Sequence, residues 1–310
     1  MQEYDVIIVG GGPAGMTAAI YAARAGARVV MLEKEFVGGQ MAATAKIENY
    51  PGFESIDGSD LSQTMLKQVE KLGVDVKYGN VDNLKLKGKV KTVQAGGEDF
   101  SAPTVILAMG AYARGIGAKG EKEYTGKGVS YCAVCDGAFF KGKTVAVVGG
   151  GNTAIGDVLY LAPLVKKLYM IHRRDEFTAQ DTLLNQVKDI MASKKNNIEM
   201  KLNCVVEQVK GNGKLESVVL KNVKTNKKED LGLDGIFVAV GRNPNTDMLE
   251  GLLELNGGYI VVNNRMETSV AGVFGAGDVV VKQLRQIATA VSDGAIAGTN
   301  ASLYAKKLKK

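Results

Sequence analysis

The chain has 310 residues, 45% hydrophobic and 23% charged, which is typical of a globular protein and leaves room for two domains. Three cysteines are too few for a disulfide scaffold, and a single histidine excludes a multi-histidine metal site. The net charge is +6. No run approaches the roughly 18 apolar residues of a membrane span, and Glu3 and Asp5 make the N-terminus unlike a signal peptide. We therefore expect a soluble, cytoplasmic protein.

The positive charge is spread over lysine runs without interleaved aromatic residues. These runs are typical of solvated surface, so we expect neither nucleic acid nor a membrane as a partner. An acidic protein partner remains open. The runs comprise Lys85, Lys87, Lys89, Lys91, Lys194, Lys195, Lys227, Lys228, Lys306, Lys307, Lys309 and Lys310.

The chain opens with the pattern of a βαβ unit. A predicted strand over residues 4–9 runs into a glycine-rich turn, and an alanine-rich predicted helix follows over residues 16–25. A second predicted strand, residues 28–32, ends at Glu33. The turn carries a G-x-G-x-x-G pattern at Gly10, Gly12 and Gly15.

This context gives the pattern a chemical meaning. The first glycine permits the tight turn, the second lets backbone N–H groups approach a pyrophosphate, and the third lets the helix pack closely on the strand. Glu33 stands at the tip of the next strand, where its carboxylate can accept hydrogen bonds from ribose hydroxyls. The first unit is therefore predicted to bind a dinucleotide with a free ribose, as in FAD or NAD.

A second βαβ unit lies in the middle of the chain. Its predicted strand, residues 143–148, ends in Gly149-x-Gly151-x-x-Ala154, a helical segment runs to about residue 161, and residues 167–171 form the next strand. At the register of Glu33 stands His172, followed by Arg173 and Arg174. Paired guanidinium groups bind a 2′-phosphate that a carboxylate would repel, so this unit is predicted to bind NADPH.

Matching strand ends suggest where the domains meet. Predicted strands over residues 104–110 and 235–241 each run into a glycine and a segment suited to a junction. We expect an α/β protein with domains 1–113, 114–244 and 245–310, in which the second nucleotide unit is inserted into the first. Two glycine-containing crossings would let one domain rotate on the other.

A C-x-x-C motif, Cys132-Ala-Val-Cys135, precedes the second nucleotide unit. A zinc site would need further soft ligands close by, so a redox disulfide is favoured, with Asp136 placed to shuttle a proton. We expect Cys204, in a strand-like run over residues 200–206, to be a buried free thiol. Near the C-terminus, a strand and glycine turn over residues 272–278 precede a predicted helix over residues 287–301.

Together these motifs resemble the low-molecular-weight, bacterial-type thioredoxin reductases, which are flavoprotein pyridine nucleotide-disulfide oxidoreductases. The resemblance covers essentially the whole chain. It is carried by GGGPAG at 10–15, GGQ at 38–40, ENYPG at 48–52, CAVCDG at 132–137, GGGNTA at 149–154, HRRDEF at 172–177, GRNPNT at 241–246, GVFGAGD at 272–278 and RQIATA at 285–290.

The resemblance implies two Rossmann-like, three-layer nucleotide-binding domains, with an NADPH domain inserted into an FAD domain. It also implies a homodimer that reduces thioredoxin through FAD and a redox-active disulfide. Cys135 would face the flavin, Cys132 would attack thioredoxin and Asp136 would donate a proton. FAD would be held by Gly10, Gly12, Pro13, Ala14, Gly15, Glu33, Gly39, Gln40, Asn49, Val81, Asp278, Arg285, Gln286 and Ile287. NADPH would be held by Gly149, Gly151, Asn152, Thr153, Ala154, His172, Arg173 and Arg174.

Three positions depart from the family pattern: Thr178 where an arginine is usual, Gly156 where an acid is usual, and Met109 where a threonine is usual. The first two bear on NADPH use. Three alternatives therefore stay open, namely a ferredoxin or other donor, a glutaredoxin-like or peroxidase acceptor, and an FAD-binding module without catalysis.

Overall fold

The structure, a computed structural model, describes residues 2–44, 46–193 and 196–309, so Lys194, Lys195 and Lys310 of the lysine runs lie outside the described residues. The chain divides into two compact units. Residues Met1–Tyr112 and Asn243–Lys310 form the first unit, and Ala113–Arg242 form the second. The predicted α/β class, with parallel sheets in both units, is confirmed. Elements are numbered along the whole chain.

The first unit is built on a five-stranded parallel sheet in the order β21-β8-β2-β3-β4. A four-stranded sheet, β1-β7-β6-β5, covers one face, and helices cover the other. The strands of this unit are β1 (Gln2–Glu3), β2 (Val6–Val9), β3 (Val29–Glu33), β4 (Asp75–Tyr78), β5 (Val81–Lys85), β6 (Lys91–Ala95), β7 (Glu98–Ala102), β8 (Thr104–Leu107), β19 (Leu255–Asn256), β20 (Tyr259–Ile260) and β21 (Val273–Gly275). Its α-helices are α1 (Pro13–Arg24), α2 (Gly58–Lys71) and α6 (Ile287–Leu308).

Alternating side chains of the central strand explain the layers. Val6 and Ile8 pack with the helices, whereas Ile7 and Val9 pack against the four-stranded sheet. All four side chains are buried, as expected for a parallel strand covered on both faces. The predicted three-layer arrangement of the first unit is therefore confirmed.

Helices α1 and α6 pack unusually closely in the first unit. A Cβ at Gly294 would overlap the carbonyl oxygen of Ala14, and a Cβ at Gly298 would overlap that of Ala18. The small residues on α6 thus let its backbone approach α1 directly. Since α1 begins at the first glycine loop, this contact also fixes the base of the predicted FAD site.

The second unit repeats the plan. A five-stranded parallel sheet, β10-β17-β11-β12-β13, has helices on one face and a three-stranded antiparallel sheet, β14-β15-β16, on the other. Its strands are β10 (Val129–Ser130), β11 (Thr144–Val148), β12 (Lys167–His172), β13 (Ile198–Leu202), β14 (Cys204–Asn212), β15 (Lys214–Asn222), β16 (Lys228–Gly232) and β17 (Gly235–Val238). Its α-helices are α3 (Ala133–Asp136), α4 (Asn152–Leu161) and α5 (Asp181–Ala192). The chain crossings carry a separate two-stranded sheet of β9 (Ala111–Ala113) and β18 (Arg242–Pro244).

Three expectations need correction. The single strand predicted over residues 200–206 is two strands, because Asn203 adopts a left-handed φ of 55° between β13 and β14. Lys91 is fully buried rather than solvated, and its Nζ donates to the carbonyl of Gly88 at 2.9 Å. The last helix, predicted to end at residue 301, continues through the basic tail, since α6 ends at Leu308. Among the described residues, none of the helices has the length and apolar character that a membrane span requires.

Candidate active site

The first glycine loop joins β2 to α1 and gives each glycine a different task. Gly10 has a left-handed φ of 106°, and a Cβ at Gly15 would overlap the carbonyl oxygen of Gly10. Gly12 has an ordinary backbone, yet no described atom lies within 4 Å of where its Cβ would be. This open space adjoins the first turn of α1, which begins with Pro13 and the buried Ala14. The loop therefore fits the pyrophosphate of a dinucleotide.

Glu33 ends β3 beside this loop. Its carboxylate accepts from the backbone N–H groups of Gly11 and Lys34, both at 2.7 Å, and of Glu35 at 3.1 Å. These bonds fix the orientation of the side chain: Oε1 accepts two of them, and Oε2 accepts one and keeps a further acceptor lone pair. The free acceptor position is compatible with a ribose hydroxyl, and the role of Glu33 stays a prediction.

Of the predicted FAD residues Gly39, Gln40 and Val81, the first lies against the glycine loop. A Cβ at Gly39 would lie 3.8 Å from the Cα of Gly12. The side-chain amide of Gln40 donates to the carbonyl of Ala111. Val81 is half-buried at the start of β5. The structure thus brings Gly39 next to the loop, whereas Gln40 and Val81 have defined places in the same unit.

Three more predicted FAD residues, Asn49, Gln286 and Ile287, lie at the start of α6. Gln286 is the N-cap of α6, forms a capping box with Thr289, and is followed by Ile287 as the first helical residue. The side-chain amide of Asn49 donates to Oε1 of Gln286 at 3.1 Å. Two residues of the predicted FAD set that are far apart in sequence, Asn49 and Gln286, are therefore in contact at this helix end.

Arg285 holds together the segment that carries Asp278. Its guanidinium donates to the carbonyls of Asp278 at 3.3 Å, Val280 at 3.2 Å and Lys282 at 3.1 Å. The same group lies over the Tyr259 ring, 4.2 Å from its centroid. Sequence reasoning treated Arg285 as a cofactor ligand, and the structure adds that it shapes its own loop.

A buried ion pair beside this segment was missed by the sequence analysis. Asp293, on α6, pairs with Lys282, and its carboxylate also accepts from the N–H of Gly277 at 2.9 Å. Gly277 directly precedes Asp278, so the pair fixes the position of that residue. An acid in an Ala- and Gly-rich helix was the available signal.

The second glycine loop, at Gly149, Gly151 and Ala154, joins β11 to α4. The nearest atom to a Cβ at Gly151 would be Oγ1 of Thr178, at 3.8 Å, so the second glycine again faces open space. Asn152 and Thr153 are exposed in the first turn of α4, and Ala154 is buried. This loop also fits a pyrophosphate.

His172 lies beneath this loop rather than on the surface. A Cβ at Gly150 would overlap the imidazole, which stacks on the Phe177 ring at a centroid distance of 5.1 Å. Burial lowers the pKa of His172, and the neighbouring Arg173 and Arg174 lower it further. A neutral imidazole therefore supports the loop, while the two exposed guanidinium groups supply the charge.

Thr178 is also part of this support. Its N–H and Oγ1 both donate to the carbonyl of Gly150, at 2.8 and 3.2 Å. The threonine that replaces the arginine expected from the resemblance thus stabilises the loop without adding a cation.

The redox motif forms a Cys132–Cys135 disulfide, with the two Cα atoms 5.3 Å apart. Cys132 is the N-cap of the short helix α3, and the N–H of Cys135 donates to its Sγ at 3.2 Å. Cys204 is free, but it is half-buried rather than buried, with its thiol donating to the carbonyl of Leu202. The chain thus separates a redox pair from a third, structural thiol.

Ser130 connects the cysteine pair with Asp136 and was also missed by the sequence analysis. Its hydroxyl donates to Oδ2 of Asp136 at 2.6 Å and accepts from the N–H of Cys132 at 3.1 Å. Burial raises the pKa of the Asp136 carboxyl, partly offset by the Ser130 hydrogen bond. The carboxyl is therefore suited to carry a proton beside the disulfide.

Known proteins are similar to this chain in sequence and in fold. The profile of the pyridine nucleotide-disulphide oxidoreductase family matches residues 4–294. The chain belongs to this family. It is 44% identical to the thioredoxin reductase of Bacillus subtilis (strain 168) over 309 residues, which cover 99% of this chain and 96% of the relative.

Solved structures agree. The crystal structure of thioredoxin reductase from Streptococcus pyogenes MGAS5005 is 42% identical, with a TM-score of 0.92 and coverage of 98% of this chain and 99% of that chain. Thioredoxin reductase from Giardia duodenalis is 37% identical, with a TM-score of 0.90 and the same coverage.

These relatives confirm the resemblance predicted from the motifs. The oxidoreductase is an enzyme of the disulfide reductase type, and its family uses FAD and NADPH, the two predicted cofactors. The residues that hold each cofactor, and the predicted domain boundaries, stay predictions.

Proposed function

We propose that this oxidoreductase is an NADPH-dependent thioredoxin reductase, active as a homodimer in the cytoplasm, with no nucleic acid or membrane partner. The observation that carries the proposal is the Cys132–Cys135 disulfide, joined through Ser130 to a carboxyl with a raised pKa. When bound, FAD takes a hydride from NADPH and returns the electron pair to a disulfide. Residues of this chain would bind the cofactors, exchange thiol and disulfide with thioredoxin, and transfer the proton.

Two sets of residues would hold the cofactors. Gly12 and Glu33 would seat the pyrophosphate and ribose of FAD, with Gly39, Asn49, Asp278, Gln286 and their neighbours around them. Gly151 leaves the corresponding space in the second unit, and exposed Arg173 and Arg174 would bind the 2′-phosphate of NADPH. The open space at both second glycines is the support for this assignment.

The geometry distinguishes the two sulfurs. In the reduced enzyme the N–H of Cys135 would stabilise a thiolate on Cys132, which favours Cys132 as the nucleophile. Its sulfur would attack one thioredoxin sulfur and release the other as a thiolate. Cys135 would then attack Cys132, reform the disulfide and release the second thioredoxin thiolate.

Asp136 would supply a proton to a departing thiolate and would then take up a proton from solvent, which is the one proton that each turnover consumes besides the hydride of NADPH. A raised pKa keeps this carboxyl protonated at a higher pH than an ordinary aspartate. Ser130, which donates to Oδ2, would hold the carboxyl in place and leave Oδ1 to carry the proton. We also propose that the inserted unit rotates between the two half-reactions, since Gly110 and Gly241 have left-handed backbones at the two crossings.

The decisive variant is Cys135→Ser, because it removes one sulfur and leaves both glycine loops unchanged. We expect flavin reduction by NADPH to continue and thioredoxin turnover to fall below detection. Cys204→Ser is the matched control and should keep full turnover. Thioredoxin reduction by Cys135→Ser would refute the assignment of the disulfide.

The donor is tested by anaerobic stopped-flow mixing of the yellow enzyme with NADPH and, separately, NADH. Fast loss of flavin absorbance with NADPH alone is the expected result. If neither nucleotide reduces a flavin that dithionite does reduce, the donor is another molecule, such as ferredoxin. A colourless protein that cannot be loaded with FAD would point to a module without catalysis.

A further inference from the structure

The β15–β16 turn reaches the basic turn that follows β12. Lys224 Nζ pairs with Oδ2 of Asp175 at 2.6 Å. The backbone confirms the approach, since the N–H of Val223 donates to the carbonyl of Asn203 at 2.7 Å and the N–H of Asn203 donates to that of Arg174 at 3.2 Å. A cation from a distant part of the sequence is therefore held one residue beyond the Arg173–Arg174 pair.

The backbone around Lys224 is fixed, although its side chain is not. Oδ1 of Asn222 accepts from the N–H groups of Lys224 and Thr225, both at 3.0 Å. The N–H of Asn226, which has a left-handed φ of 57°, donates to the carbonyl of Asn222 at 2.8 Å. The Lys224 side chain is 61% exposed. The turn thus presents an ammonium group that can change partner without refolding.

The charges beside Lys224 indicate a role for its ammonium group. Asp175 directly follows the two arginines, and an unpaired carboxylate there would repel a phosphate bound by them. Lys224 neutralises that carboxylate, and Asp175 in turn has a lowered pKa because of the Lys224 hydrogen bond. Exposed ion pairs contribute little to the free energy of unfolding, so breaking the Lys224–Asp175 pair costs little. The Lys224 ammonium can therefore turn to a doubly charged ligand such as a phosphate.

We infer that Lys224 is the third cation of the 2′-phosphate subsite and a specificity-determining residue for NADPH over NADH. This inference rests on the proposed function, because it presupposes that Arg173 and Arg174 bind the 2′-phosphate. It accounts for Thr178, whose hydroxyl supports the glycine loop instead of supplying charge. Lys224, in the turn between β15 and β16, thus supplies the positive charge that the family pattern places at position 178.

The test is calorimetric titration of the oxidised, FAD-loaded enzyme with NADP⁺ and NAD⁺. For Lys224→Ala we expect NADP⁺ affinity to fall about tenfold and NAD⁺ affinity to change less than about twofold. The matched control is Lys210→Ala, since Lys210 also forms an exposed ion pair on the same sheet, with Asp230 at 2.7 Å. Asp175→Asn should raise NADP⁺ affinity by about threefold, because it removes the competing carboxylate.

The outcomes separate the two proposals. If wild-type enzyme binds NADP⁺ no better than NAD⁺, the NADPH assignment and the Lys224 inference both fail. If the wild type prefers NADP⁺ but Lys224→Ala matches Lys210→Ala, the donor stands and the Lys224 inference fails. A selective loss of NADP⁺ affinity that disappears at high salt supports the inference, because salt screens exposed charges.

Discussion

The two glycine loops use one backbone plan with different packing and different charge. In the first, Gly15 lies directly against Gly10, and a carboxylate held by three backbone N–H groups stands at the tip of the next strand. In the second, Ala154 replaces the third glycine, and two exposed arginines stand above a buried His172. The comparison supports the proposal that loop geometry provides the pyrophosphate seat, whereas the residue at the tip of the following strand selects the ribose.

The third position gives the largest test of this comparison. Gly15→Ala places a Cβ on the carbonyl oxygen of Gly10, so we expect a loss of about 3 kcal/mol of unfolding free energy and of bound flavin. Ala154→Gly, the reverse change in the second loop, should cost only about 1 kcal/mol of helix propensity. Urea unfolding with and without added FAD measures both. Equal losses would mean that the loops pack alike.

The second position separates folding from binding. Valine at Gly12 or Gly151 enters open space on an extended backbone, so stability should stay within about 0.5 kcal/mol of wild type. We expect Gly12→Val to purify without flavin. We expect Gly151→Val to stay yellow and to lose at least about tenfold in NADPH affinity. A yellow Gly12→Val enzyme would contradict the proposed seat.

The two units also differ in their carboxyl pKa values. Burial raises the pKa of Asp157, on α4, to about 7, and the nearby Arg242 offsets this only in part. Among the described carboxyls, a raised pKa is otherwise found at Asp136, also in the second unit. Lowered pKa values occur in both units, for example at Asp57, where Ser59 donates to the carboxylate, and at Asp175, where Lys224 does.

Folded Asp157 therefore keeps a proton that the unfolded chain releases above its ordinary pKa of 3.8. Stability should fall as pH rises, by about 2 kcal/mol between pH 5 and 7. Asp157→Asn should remove this dependence and be the more stable protein at pH 7. Urea unfolding across that range measures it, and identical slopes for the two proteins would rule out the Asp157 contribution.

Local patterns predicted the parallel strands, both loops and the redox pair, because apolar runs and glycine spacing are local properties. The break at Asn203 was missed, since a left-handed residue inside an apolar run leaves no periodic signal. Contacts such as Ser130 with Asp136, or Lys224 with Asp175, depend on turns and distant strands. The burial of His172 likewise follows from the packing of the loop above it.

The close packing of α1 against Gly294 and Gly298 of α6 has a consequence for synthesis on the ribosome. Helix α1 is synthesised before the inserted unit, but the α6 surface that packs against it is synthesised after that unit. The unit of residues 113–242 is contiguous and can finish folding while the nascent chain is still growing. The first glycine loop should therefore reach its final structure only after α6 has been synthesised, and a truncation that removes α6 should leave a folded inserted unit within an incompletely folded first unit.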